Sequence, residues 1–195
     1  MAVAWRAAPY RPAAADGDAV WDARWAAGDL DHLANEVESA RSAVLAELLV
    51  HIGGEPAILE VGCGTGLFRT RVEGVPFRRY LGVDVSATAI EKASSLADER
   101  TSFAVAARPG QQLGRFDVVV ANEVLYCPDD PAQVLDDIAG VLAPGGHLLC
   151  SNWRHPGDVG LLRLITERFV TVQDVELRSL VAPRHRWRVG HYRLR

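Results

Sequence analysis

One segment restricts the fold more than any other: Ile58-Leu59-Glu60-Val61-Gly62-Cys63-Gly64-Thr65-Gly66, a short apolar run that passes straight into three alternate glycines. The run reads as a buried strand, and a helix is expected to begin near Leu67. Glycine turns the backbone sharply and lets it come close to a ligand, and a following helix presents unpaired N–H groups. A nucleotide-like cofactor is the expected occupant. The spacing is GxGxG, whereas a dinucleotide pyrophosphate is seated by GxGxxG. That spacing, with no sequence for a catalytic domain, disfavours a nicotinamide-dependent dehydrogenase.

Around this loop the chain alternates. Apolar runs at 57–61, 79–85, 102–106, 116–122 and 146–152 are separated by stretches with helical character, the pattern of a parallel sheet built from βαβ units. The intervening helices are expected in LFRTRVE, SATAIEKASSLADE and DDPAQVLDDIAGVLA, the last capped by Asp129 or Asp130 and stopped by Pro144-Gly145-Gly146. Upstream, a helical stretch from Val20 presents Val37, Ala40, Val44, Leu45 and Leu48 on one face and ends at Gly53-Gly54. Beyond Trp153 come a helix near 159–167 and two strands, RFVTVQDVEL and RWRVGHYRL. Seven strands and right-handed crossovers predict an α/β fold: a Rossmann-like, doubly wound, mostly parallel sheet in three αβα layers, with an antiparallel C-terminal hairpin. Residues 1–18, rich in Ala and Pro, read as a loosely ordered arm, and 19–195 as a single domain.

The 195 residues carry a formal net charge of −4, which gives no general attraction to phosphate backbones or anionic membranes. Nucleic acid and membrane are therefore not expected partners. The basic tail from Arg184 to Arg195 interleaves Trp187, Val189, Tyr192 and Leu194, which fits a strand with exposed arginines better than a nucleic-acid arm. Three cysteines, Cys63, Cys127 and Cys150, lack CxxC spacing, so neither a disulfide framework nor a metal site is expected. With no apolar stretch of signal-peptide or membrane-spanning character, a cytoplasmic location is the expectation.

From about Val20 onward the sequence resembles the class I S-adenosylmethionine (SAM)-dependent methyltransferases. ILEVGCGTG is similar to their first motif, YLGVDVS to the second, FDVVVANEVLYC to the motif after the fourth strand, and LAPGGHLLCSN to the loop and fifth strand. EVLYC, NWRHPGD and a later ERF are similar to the nodulation protein S type, which methylates an amine on an oligosaccharide. The resemblance implies SAM as cofactor. It implies that Glu60, Gly62, Cys63, Gly64 and Gly66 face its methionine end, Glu60 meeting the ammonium directly or through water. It implies that Asp84 takes the ribose hydroxyls, with Val85 beside the adenine, and that Ala107, Arg108, Asn122 and Glu123 add contacts. Many relatives carry an acid after the third strand that meets the adenine amino group. This chain reads Ala106-Ala107-Arg108-Pro109 there, which leaves adenine to backbone groups or Arg108. Trp21 and Trp25 resemble an aromatic segment that closes over SAM in some small-molecule methyltransferases; the alternative is that both pack a helix onto the sheet.

The acceptor is expected at the C-terminal ends of the fourth and fifth strands. Glu123 and Tyr126 follow one, and Trp153, Arg154 and His155 the other. Glu123 is a candidate base, an anchor for an ammonium, or a cofactor-side partner. Tyr126 joins it as a candidate for catalysis and acceptor binding. His155 titrates near neutrality and is a candidate base or a helix-capping surface residue. Trp153 and Arg154 are candidate substrate contacts, Arg154 alternatively pairing with Asp158. Together these point to methyl transfer to an amine, or next a hydroxyl, of a small molecule such as an amino sugar or natural product. The alternative is a SAM-binding module or subunit partner without catalysis.

Overall fold

The computed structural model describes residues 17–110, 113–154, 158–180, 182 and 185–195. Seven strands, β1 (Ala57–Val61), β2 (Arg79–Asp84), β3 (Thr101–Val105), β4 (Phe116–Asn122), β5 (Leu142–Trp153), β6 (Phe169–Arg178) and β7 (Arg186–Leu194), form one sheet in the order β3-β2-β1-β4-β5-β7-β6. The first five pair in parallel. β7 inserts antiparallel between β5 and β6. This is the expected Rossmann-like, mostly parallel sheet with its antiparallel C-terminal hairpin. β1 is flanked by β2 on one side and β4 on the other, so the chain reverses direction across the sheet there. The loops that leave β1 and β4 lie at that switch point, the place where open α/β sheets take ligands.

The described helices are α1 (Gly17–Ala27), α2 (Glu36–Ile52), α3 (Leu67–Arg71), α4 (Ala87–Ala93), α5 (Pro131–Val141) and α6 (Asp158–Arg168). One sheet face packs β1, β4 and β5 residues such as Leu59, Val119 and Leu148 with Leu135 and Ile138 of α5 and Ile165 of α6. The other packs Ile58, Val118, Val120 and Leu149 with Leu45, Leu48 and Leu49 of α2 and Phe68 of α3. All five residues of β1 are buried, as a central strand covered on both faces requires. Among the described residues no helix is long and apolar enough to cross a membrane.

Three expectations are corrected. The stretch from Val20 is not one helix: Gly28, at φ 75°, ends α1, a 3-10 turn spans 31–34, and Asn35 accepts a hydrogen bond from Glu38 N to start α2 afresh. Ala40 is exposed, and the buried face of α2 instead runs Glu38, Arg41, Leu45, Leu48 and Leu49. Pro144-Gly145-Gly146 does not separate α5 from the next strand, because β5 begins at Leu142, opposite Phe116, and a register shift between Phe116 and Val118 absorbs the irregular residues. The presumed arm lies outside the described residues up to 16, and α1 starts at 17. The basic tail is largely β7: Trp187, Val189 and Tyr192 are buried and Arg188 is ion-paired to Asp174, while Arg184 lies outside the described residues.

Candidate functional site

Two acids flank the glycine loop, Glu60 buried and Asp84 partly buried. Glu60, the fourth residue of β1, is 2% exposed, and its Oε2 accepts a hydrogen bond from the Tyr80 hydroxyl on β2. Desolvation pushes its carboxyl up to about 8, the Tyr80 bond opposing this and the Asp84 charge adding to it. Asp84, at the end of β2, accepts from Gly64 N at 2.8 Å and from Ser86 N at 3.0 Å, which ties the glycine loop to the start of α4. Burial raises its carboxyl too, against the pull of these backbone bonds. Among the described residues neither acid forms an ion pair. Acids desolvated in this way and left without a cation fit a ligand that brings its own positive charge and hydroxyls. SAM, with an ammonium, a sulfonium and a ribose, is such a ligand.

The glycines are required by what presses on them. A Cβ at Gly62, where φ is 70°, would stand 2.6 Å from the Val124 side chain, and one at Gly64, where φ is 52°, 2.7 Å from the Trp25 ring. The β1 and β4 loops thus meet at Gly62–Val124, and α1 lies against the loop at Trp25–Gly64. Cys63 is buried, with its thiol pushed far up by burial and turned to Gly64 O at 3.6 Å, so it acts as a small filler.

Helix α1 is anchored for this contact. Asp22 Oδ1 accepts from Ser86 Oγ at 2.5 Å and Thr88 N at 3.0 Å, capping α4, and Lys92 Nζ donates to Trp25 O at 3.0 Å. Trp25 is 6% exposed in a small cluster with Leu30 and Ala89, against which Trp21 packs. Of the two readings for these tryptophans, packing of the helix is realised against α4 and the glycine loop.

The second half of the site lies where β4 and β5 end. Glu123 is the one non-glycine among the described residues with positive φ, at 62°, in the left-handed region that side chains resist. Its Oε2 accepts from the Tyr126 hydroxyl at 2.9 Å and its Oε1 from Ser151 Oγ at 2.8 Å, while Arg41 Nε lies 4.0 Å away. Desolvation raises its carboxyl and Arg41 opposes that. Arg41 Nε donates to Asn122 Oδ1 at 3.1 Å, its Nη1 donates to Glu38 Oε2 and Glu38 O, and Asn122 Nδ2 donates to Ser42 Oγ at 3.1 Å. Glu38, Arg41, Asn122, Glu123, Tyr126 and Ser151 thus form a connected polar cluster between α2 and the sheet.

The other anticipated residues lie at or just after the ends of β2, β3 and β5. Ala107 and Arg108 are exposed after β3, with Arg108 on Asp137 of α5 at 3.4 Å. Val85 is half-buried beside Asp84. Arg154 pairs with Glu176 of β6 at 3.2 Å, while the side chain of Asp158, its anticipated partner, is outside what the structure describes. Trp153 packs against the α2-side core, opposite Trp187. His155 lies outside the described residues. Sequence reasoning missed Glu38, Arg41, Ser151, Asp22 and Tyr80. The available signal was two charges, Glu38 and Arg41, in helical phase with Leu45 and Leu48.

Residues 59–148 match a family model described as a methyltransferase domain. Among solved structures the chain is similar to the N-methyltransferase NodS from Bradyrhizobium japonicum in complex with S-adenosyl-L-homocysteine. The TM-score is 0.76 over 92% of this chain and 98% of that one, at 23% identity. It is 32% identical over 112 residues to the ubiquinone biosynthesis O-methyltransferase of Marinobacter nauticus, covering 52% of this chain and 45% of that protein. It is 26% identical over 180 residues to the tRNA U34 carboxymethyltransferase of Pseudoalteromonas translucida, covering 88% of this chain and 50% of that protein. The chain spans about half the length of these curated relatives.

Proposed function

We propose that this chain is a class I SAM-dependent methyltransferase, and that the loops after β1, β2 and β4 bind SAM and direct methyl transfer to an amine of a small molecule. One observation carries the acceptor: Glu38, Arg41 and Glu123 bury two acids against one base. With both carboxylates ionised the cluster holds a net charge of about −1 in low dielectric, a setting that favours a cationic group such as an ammonium.

The residues divide the work. Gly62, Gly64 and Gly66 give backbone approach, Asp84 accepts ribose hydroxyls, Glu60 offers its carboxylate to the ammonium end, and Val85, Ala107, Arg108 and Asn122 border the remainder. Because Glu60 is held by Tyr80 beneath the loop, its contact runs through the loop or through water. When bound, SAM supplies an electrophilic methyl carbon on a sulfonium. Trp25, with Trp21 beside it, covers the loop and keeps water out. Glu123, steadied by Tyr126 and Ser151, orients the acceptor nitrogen and accepts its proton; a carboxyl raised by burial suits that task. Alignment of donor and acceptor contributes the larger share, about 7 to 11 kcal/mol where geometry is favourable. Trp153 and Arg154, at the end of β5, are assigned to the acceptor side.

A hydroxyl acceptor is the second reading, supported by the O-methyltransferase relative. The net charge of −4 and the pairing of Arg154 and Arg188 with acids favour a small molecule over nucleic acid. Three unpaired cysteines suit a reducing compartment such as the cytoplasm.

The test is turnover of SAM with panels of amines, amino sugars and alcohols, with product mass and S-adenosylhomocysteine as readouts. Amine methylation is expected, with Glu123→Gln lowering kcat about 100-fold or more. Tight SAM binding with no turnover on any acceptor class would favour the non-catalytic module.

A further inference from the structure

Arg41 is one of the few charged side chains buried among the described residues, and a guanidinium is costly to take out of water. It lies on α2 with its side chain 5% exposed, one turn before Leu45 on a buried face that it shares with Glu38, Leu45, Leu48 and Leu49. A hydrophobic residue of similar volume would join α2 to the sheet without desolvating a guanidinium, so packing alone does not account for it. Apart from Glu38 on its own helix, its described contacts reach the end of the sheet: Asn122 Oδ1 at 3.1 Å, Glu123 Oε1 at 4.0 Å and the Trp187 ring face at 6.0 Å. Asn122 is thereby fixed in orientation, Nε of Arg41 on its oxygen and Ser42 on its amide nitrogen.

The arrangement leaves Ser151 with two acceptors and one proton. Its Oγ lies 2.7 Å from Asn122 Oδ1 and 2.8 Å from Glu123 Oε1. When Glu123 is ionised the hydroxyl donates to it. When Glu123 carries a proton, the hydroxyl turns to Asn122 and accepts that proton's hydrogen bond instead. Both states are satisfied, and the Arg41 charge favours the ionised one.

We propose that Arg41 is a positioning residue for Glu123: with Asn122 and Ser151 it holds the Glu123 carboxylate ionised and directed at the acceptor, and Glu38 moderates how much of the Arg41 charge Glu123 feels. The acceptor role rests on the function proposed above; the electrostatic link does not. The charged or titratable groups facing Glu123 are Arg41 and Glu38 from α2, Tyr126 and Cys127 from its own loop and Cys150 from β5, with Ser151 and Asn122 as the polar neighbours from β5 and β4.

The experiment is a carboxyl-carbon NMR titration of Glu123 in the full chain, the signal assigned by its loss in Glu123→Gln. In Arg41→Met the Glu123 midpoint is expected to rise by about 1 to 3 pH units, the range for loss of a close opposite charge. Arg41→Lys, which keeps the charge without the planar fork, restores part of that shift. Glu38→Gln moves the midpoint down. An unchanged midpoint in folded Arg41→Met, or movement of Glu38→Gln upward or not at all, overturns the proposal. If Arg41→Met fails to fold, the sign in Glu38→Gln decides it. Calorimetry with SAM on the same proteins reads the methyltransferase assignment separately: equal affinity in wild type and Arg41→Met supports a role confined to Glu123, whereas a wild type that does not bind SAM removes the assignment whatever Glu123 does.

Discussion

Glu60 and Tyr80 bury an acid against a phenol, with the Glu60 carboxyl raised to about 8. A carboxyl raised above its unfolded value binds a proton more readily in the folded chain. Its contribution to stability is therefore full below the unfolded value near 4.5 and is lost as pH rises through about 8. Glu60→Gln removes this term. Wild type is expected to lose stability relative to Glu60→Gln between pH 5 and 8.5 in denaturant melts, and parallel pH profiles would contradict it. The glycines, Glu60 and Asp84 were legible in the sequence because strand, loop, helix and acid follow one another within about thirty residues. The tie from Glu60 to Tyr80 was not, since it joins residues 20 apart across two strands. Arg41 and Glu38 were hidden for another reason: two charges inside a buried stripe break the apolar period and shift the apparent face towards Ala40.

At the scale of elements, α1 is the least embedded part of the site. It packs on α4 and the glycine loop through Asp22, Trp25 and the Lys92 bond to Trp25 O. Trp25→Ala is expected to lower SAM affinity at least tenfold, about 1.4 kcal/mol. It should also speed amide exchange in α1 while the sheet amides stay protected. Unaltered affinity with faster exchange would leave Trp25 a packing residue only. The helix was foreseen, but its separation from α2 was not. Gly28 and the Asn35 cap break the stretch locally, and neither interrupts the apolar pattern strongly enough to be read without the backbone. Similarly, the start of β5 at Leu142 depends on a register shift opposite Phe116, a property of the pair of strands and not of either sequence.

For the whole molecule, seven strands and their parallel-then-antiparallel order were legible because each strand is a short apolar run between helical stretches, and right-handed crossovers leave few ways to close the sheet. That order brings the loops after β1, β2 and β4 to one end of the sheet, where buried Glu60 and partly buried Asp84 and Glu123 lie. The central claim is that these acids and the glycine loop hold SAM, and the most direct test is calorimetric titration of the wild type and Asp84→Ala with SAM and S-adenosylhomocysteine. Saturable binding of both ligands by wild type, weakened at least tenfold by Asp84→Ala in a protein with an unchanged circular dichroism spectrum, is the predicted result. Absence of binding by folded wild type, or equal binding by Asp84→Ala, would contradict it.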